Sequence, residues 1–121
     1  MNNFFFFDTY AFIEVIRGNP NYKRFENALV ITTIFHLAEL NYILKKEMTK
    51  EKADWYTQMY GAFLVEVAVE DIKIAMDFKT KYRHFSIPDA VGYTMAKKHK
   101  ALFLTGDSGF EGLAQVEFVK K

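Results

Sequence analysis

Four consecutive phenylalanines, Phe4 to Phe7, stop abruptly at Asp8, and no other feature constrains the fold as strongly. So short an apolar run, closed at once by a charge, reads as an extended segment with large side chains on both faces. It is predicted as a strand buried on both sides, the habit of strands in parallel sheets covered by helices. A carboxylate at the end of such a strand falls on the sheet's carboxyl edge, where open α/β sheets bind ligands.

The rest of the chain alternates as such a sheet requires. Thr9 to Arg17 carries apolar residues at helical spacing, with Asp8 as the cap and Gly18-Asn19-Pro20 as the stop. A short helix is expected near 22–27, a strand at 28–31, and a helix at 34–46 capped by Thr32-Thr33. Another helix is predicted over 50–60, with Thr49 as cap and Gly61 as its end, then a strand at 63–67. Helices over 70–82 and 86–99 follow, the latter with Pro88 in its first turn, before strands at 101–104 and 116–119. Parallel neighbours need crossover connections, and the helices supply them. The expectation is an α/β fold, a three-layer α/β/α arrangement around a central parallel sheet of about five strands.

At 121 residues and 50% hydrophobic content, residues 1–121 can build one sizeable core and are expected to form one domain. Sixteen Lys and Arg against fifteen Asp and Glu exclude bulk basicity as a route to nucleic acid, so any RNA contact must be local. With no cysteine there is no disulfide framework, thiolate zinc site or cysteine nucleophile. No apolar run is long enough to span a membrane and no export signal is legible, so the expected location is cytoplasmic. Thirteen Phe and seven Tyr are assigned mainly to the core, with some free to line an interface or stack on bases.

Four acids are placed for chemistry. Asp8 follows the first strand, and Asp107 follows the 101–104 strand after Thr105-Gly106, so both fall on the carboxyl edge. Glu39 lies inside a helix among Phe35, Tyr42, Ile43 and Lys46, an expensive position for an idle charge. Asp89 opens the helix that leads into the 101–104 strand. Each has a plainer reading as an N-cap, a first-turn acid or a helix-surface partner of a lysine. If they converge, their repulsion calls for a cation, and all-oxygen ligation without cysteine favours Mg²⁺ or Mn²⁺. Such an ion polarises a phosphodiester and activates water for in-line attack.

The ordered set Asp8-Thr9, Thr32-Thr33 with Ala38-Glu39-Leu40, Pro88-Asp89-Ala90 and Leu104-Thr105-Gly106-Asp107-Ser108-Gly109-Phe110 resembles the PIN-domain ribonucleases, particularly the VapC-type toxins of prokaryotic toxin–antitoxin pairs. The resemblance covers nearly the whole chain. It implies that Asp8, Glu39, Asp89 and Asp107 ligate Mg²⁺ or Mn²⁺ directly or through water, with Thr9 and Thr105 orienting ligands or waters. It also implies metal-dependent endonucleolytic hydrolysis of single-stranded RNA, a homodimer, and a cognate antitoxin whose C-terminal segment enters the active-site groove. Phe110 then serves as an apolar anchor.

The apolar surface around Phe35, Leu37, Leu40 and Leu44 suits a dimer or partner contact, or else an ordinary buried helix. The segment from Lys79 to Phe85 mixes cations with rings, which suits phosphate and base contacts or a solvated helix end. His36, His84 and His99 lack ligand spacing and are assigned to packing or surface. Phosphate-loop, dinucleotide-turn and nucleophile-elbow motifs are absent. An aspartyl-phosphate enzyme wants a second Asp where Tyr10 stands. The rival readings are a stand-alone PIN-domain RNA-processing nuclease and a non-catalytic RNA- or protein-binding module.

Overall fold

The Phe4–Phe7 run sits at the centre of the sheet, as its composition demands. The computed structural model describes residues 3–121. Strands β1 (Phe4–Phe7), β2 (Leu29–Ile31), β3 (Leu102–Thr105) and β4 (Val116–Phe118) form one sheet in the order β2-β1-β3-β4, every neighbouring pair parallel. In register, Phe5 lies beside Val30 on one side and Leu102 on the other. Alternation divides the strand between two cores. Phe5 and Phe7 join Leu104 on one face, while Phe6 joins Phe103 on the other.

Among the described residues, five helices close the two faces: α1 (Thr9–Ile16), α2 (Ile34–Glu47), α3 (Lys50–Tyr60), α4 (Val69–Lys81) and α5 (Ile87–His99). Ala11 and Phe12 of α1, Leu37, Leu40 and Leu44 of α2, and Ala53 of α3 pack over Phe5 and Phe7. Ala75 of α4 and Ala90, Val91, Tyr93, Met95 and Ala96 of α5 pack over Phe6 and Phe103. The result is the expected three-layer α/β/α arrangement. Helix starts follow the local chemistry: Asp8, Thr33, Thr49 and Ser86 each cap a helix through a side-chain oxygen. The stop after α1 includes Gly18 at φ +75°, a left-handed conformation that costs glycine nothing. The expected short helix near 22–27 is a 3₁₀ segment, Pro20–Phe25.

The strand expected at 63–67 does not form a ladder. Gly61–Phe63 is a 3₁₀ turn, and Leu64 makes a single parallel bridge with Thr32. The Thr32 N–H donates to the Phe63 carbonyl (3.0 Å) and the Val65 N–H to the Thr32 carbonyl (2.9 Å). Pairing ends there because α2 begins at Ile34 and turns the partner backbone out of the sheet. Val65 and Val67 still pack against the second core, so their apolar character has a use without a strand. The sheet described therefore has four strands rather than about five.

The strand order carries the functional consequence. From β1 the chain moves outward to β2 and later returns to the other side of β1 as β3, so connections diverge between β1 and β3. The carboxyl edge at such a switch point is an open crevice. Asp8 and Asp107 follow these two strands.

Candidate active site

Three aspartates reach the crevice from three separate elements, each held by a capping bond. Asp8 caps α1, its Oδ1 accepting from the Ala11 N–H at 2.7 Å. Asp89 lies in the first turn of α5 and exchanges bonds with Ser86. Its Oδ2 accepts from the Ser86 N–H and its own N–H donates to Ser86 Oγ, both at 3.1 Å. Asp107 caps the 3₁₀ turn Ser108–Phe110, with Oδ1 accepting from the Gly109 N–H at 2.9 Å. The capping readings and the functional readings are therefore compatible. Each named bond engages one oxygen, fixes the carboxylate's orientation and leaves the second oxygen for other partners.

Glu39 completes the set from α2 and is held differently. The Thr9 hydroxyl donates to its Oε1. The apolar setting expected around Glu39 is not what confines it, because Phe35 and Tyr42 are 42% and 67% exposed. Thr105 is fully buried, and its hydroxyl oxygen accepts the Asp107 N–H at 3.0 Å, which shapes the turn after β3.

All four acids line one cavity of about 370 Å³, together with Thr9, Tyr10, His36, Ser86, Gly106, Ser108 and Lys121. The electrostatics show the strain of that gathering. Burial pushes the Asp8 carboxyl up to about 7 and the Asp89 charge adds to the rise, against the opposing pull of Thr105, Ala11 and Lys121. Asp89 is also raised, first by burial and then by Asp107, with Ser86 and His84 opposing. Burial first, and a neighbouring acid second, thus disfavour ionisation of Asp8 and Asp89, the condition a bound cation relieves.

The donors suit a hard divalent ion. They are oxygens, and the cavity has room for an ion with its water shell. Among the described residues no three carboxylate or imidazole groups are close enough together to cage an ion unaided. A hard divalent ion in this cavity would need water to complete its coordination, the way Mg²⁺ retains part of its hydration.

Several cavity residues escape the motif reading. His36 is 1% exposed, and its Nδ1 lies 2.6 Å from Thr33 Oγ1. Burial lowers its pKa to about 4, so the ring is neutral near pH 7. The packing role expected of it holds, although the ring also forms cavity wall. Lys121 and Tyr10 carry no motif. The parallel sheet locates them, because residues leaving β4 emerge at the same edge as those leaving β1 and β3. By contrast, the basic-aromatic segment at 79–85 lies outside the cavity. Lys79 donates to the carbonyls of Arg83 and Phe85, and Phe85 is buried, which makes the segment a tied-off helix end. Leu37, Leu40 and Leu44 are buried as well, leaving Phe35 as the exposed member of its group.

A parallel α/β sheet with an open crevice at its switch point defines the class of α/β proteins whose sites lie at the carboxyl edge. Within it, this chain belongs to the PIN domain family, whose model matches residues 5–116. No curated protein sequence matches it closely. In fold it is similar to a toxin–antitoxin complex from Klebsiella pneumoniae, with a TM-score of 0.76 at 18% identity, covering 93% of this chain and 94% of that one. It is also similar to VapBC2 from Rickettsia felis bound to a DNA fragment from its promoter, with a TM-score of 0.72 at 15% identity, covering 97% and 99%. FitAcB from Neisseria gonorrhoeae gives 0.66 at 16% identity, covering 94% and 95%.

Proposed function

We propose that this chain is a metal-dependent endoribonuclease that hydrolyses single-stranded RNA and acts in the cytoplasm as the toxin of a toxin–antitoxin pair. The observation that carries the nuclease reading is the convergence of Asp8, Asp89 and Asp107, from the ends of β1 and β3 and the start of α5, on one cavity, where burial disfavours the charge of Asp8 and Asp89. Asp8, Glu39, Asp89 and Asp107 would hold Mg²⁺ or Mn²⁺ directly or through water. A divalent ion there supplies an activated water and polarises the phosphodiester.

The chain's own groups prepare that site. Thr9 fixes one Glu39 oxygen, and the backbone N–H groups of Ala11, Ser86 and Gly109 each fix one aspartate oxygen. Such outer contacts set ligand orientation and basicity. The buried Thr105 holds the Asp107 turn against the sheet.

The toxin reading rests on PIN family membership together with the toxin–antitoxin complexes among its structural neighbours. It includes a cognate antitoxin and a homodimer as partners. The test is cleavage of labelled single-stranded RNAs by the purified protein with Mg²⁺, Mn²⁺ or EDTA, beside Asp8→Asn. Metal-dependent cutting by the unaltered protein alone supports the enzyme and its site. Equal cutting by Asp8→Asn overturns the site, and RNA binding without cutting under any metal favours the non-catalytic module. A protein that cuts RNA but is not inhibited by the product of an adjacent short reading frame would be a stand-alone nuclease.

A further inference from the structure

Among the described residues, Lys121 is the one lysine or arginine lining the acid cavity, and several contacts place it there. The Val119 N–H donates to the Thr105 carbonyl at 2.9 Å, continuing the β4 pairing toward the site. The buried Tyr22 hydroxyl donates to the Val119 carbonyl at 2.7 Å, and Asn21 Nδ2 donates to the Lys120 carbonyl at 3.1 Å. The backbone leading to Lys121 is thus held from two directions.

The side chain is received as carefully. Its stem lies over Gly106, where an added Cβ would meet Lys121 Cγ and the Tyr22 hydroxyl at 2.8 Å and Lys121 Cε at 2.9 Å. Any other residue between Thr105 and Asp107 would push the lysine away. The ammonium lies 4.0 Å from the ring centroid of Tyr10, a residue 44% exposed. Lys121 therefore rests on a ring and makes no ion pair with a described carboxylate. Its charge remains available at the lip of a cavity that would otherwise repel a polyanion.

We infer that Lys121, seated on Tyr10, holds a backbone phosphate of the single-stranded RNA substrate at the entrance to the acid cavity. The inference rests on the nuclease reading for the identity of the substrate. A compact ammonium suits it, since lysine contacts phosphate as a point charge. The carboxylates favour a metal and disfavour RNA, and a cation beside them offsets that repulsion where the backbone arrives.

The experiment is fluorescence-anisotropy binding of a labelled single-stranded RNA over a salt series in EDTA, for the unaltered protein, Lys121→Ala and Lys121→Arg. Metal-dependent cleavage and thermal melting are measured in parallel. Lys121→Ala is expected to bind roughly tenfold more weakly and to lose about 0.7 from the slope of log affinity against log salt, the share of one phosphate contact on a single strand. Lys121→Arg should recover most of both, and all three proteins should melt alike. Unchanged affinity and slope in Lys121→Ala, or no RNA binding by the unaltered protein, overturn the inference. So does weaker binding at an unchanged slope, which would make Lys121 only a counter-charge to Asp8. Cleavage that persists without a Lys121 effect sinks this inference alone. A Lys121 effect without cleavage sinks the nuclease reading alone.

Discussion

The Thr9 hydroxyl donates to Glu39 Oε1 at 2.5 Å, joining the first turn of α1 to the middle of α2 across thirty positions. This bond gives Glu39 one orientation in a cavity wall where a long, half-buried side chain would otherwise sample several. Thr9→Val keeps the shape and removes the donor. The freed carboxylate can turn to water, so the stability loss should stay near ~1 kcal/mol. Losing an outer contact of this kind costs about 10–100-fold in metal affinity or activity. Thr9→Val is therefore expected to fold normally, require more Mg²⁺ for half-maximal cleavage and cut at least tenfold more slowly, whereas Thr9→Ser stays close to the unaltered protein. Metal titration of the cleavage rate checks it.

Asp8 makes stability depend on pH in a direction opposite to most carboxylates. Its folded pKa is raised from 3.8 to about 7, so between those values the folded protein binds more protons than the unfolded chain. Stability of the metal-free protein should accordingly fall as pH rises from about 4 through about 7, by on the order of a few kcal/mol from this group. Asn caps a helix as well as Asp. Asp8→Asn in EDTA should thus melt several degrees higher than the unaltered protein at pH 8 and near the same temperature at pH 4. Saturating Mg²⁺ should stabilise the unaltered protein, by about 2.7 kcal/mol at a hundred times its dissociation constant, and Asp8→Asn much less. Thermal melts over pH, with and without Mg²⁺, decide the point. A higher melting temperature for the metal-free protein at pH 8 than at pH 5 would contradict it.

The contrast between Phe4–Phe7 and the segment after Gly61 shows what could be read in advance. The phenylalanine run is apolar at successive positions and ends in a charge, so its strand, its two-sided burial and the place of Asp8 all follow from local pattern. Phe63 to Val67 is apolar apart from Glu66, but whether it pairs depends on where α2 turns its neighbour out of the sheet, a fact held in another part of the chain. The site divides the same way. Asp8, Asp89 and Asp107 sit at element ends whose caps are legible, whereas Lys121 reaches the cavity through sheet order and Tyr22, neither of which any short motif encodes.

Gly92 and His36 form the tight contact between α5 and α2. A Cβ at position 92 would lie 2.8 Å from His36 Nε2 and 2.9 Å from Phe6 Cε1. His36 cannot yield easily, because it is buried, sits 4.9 Å edge-on to Phe6 and has its Nδ1 against Thr33. Alanine gains about 1 kcal/mol of helix propensity over glycine, while overpacking a core costs about 1–3 kcal/mol. The clash is with rigid rings, so Gly92→Ala is expected to destabilise. His36→Ala opens space beside the same point, so the double variant should lose about 1 kcal/mol less than the sum of the singles. Urea unfolding of the four proteins measures that coupling, and strict additivity would place the steric conflict elsewhere.

Phe110 joins the second core to the Asp107 turn. Its ring is fully buried, stacked 3.9 Å from Phe85 and tilted 49° against Phe103 at 4.7 Å, and its N–H donates to the Asp107 carbonyl at 3.0 Å. The ring anchors the 3₁₀ turn whose Gly109 N–H holds the Asp107 carboxylate. Truncating a buried Phe to Ala removes its burial and leaves a cavity, at about 3–5 kcal/mol. Phe110→Leu keeps most of the volume and should cost under about 1.5 kcal/mol. Measured well below the melting temperature of each variant, cleavage by Phe110→Ala should still be reduced, because the loosened turn no longer presents Asp107 in one orientation. Cleavage by Phe110→Leu should be nearly retained. If Phe110→Ala lost stability but kept full cleavage while folded, the Asp107 turn would be held by its own hydrogen bonds and not by the core beneath it.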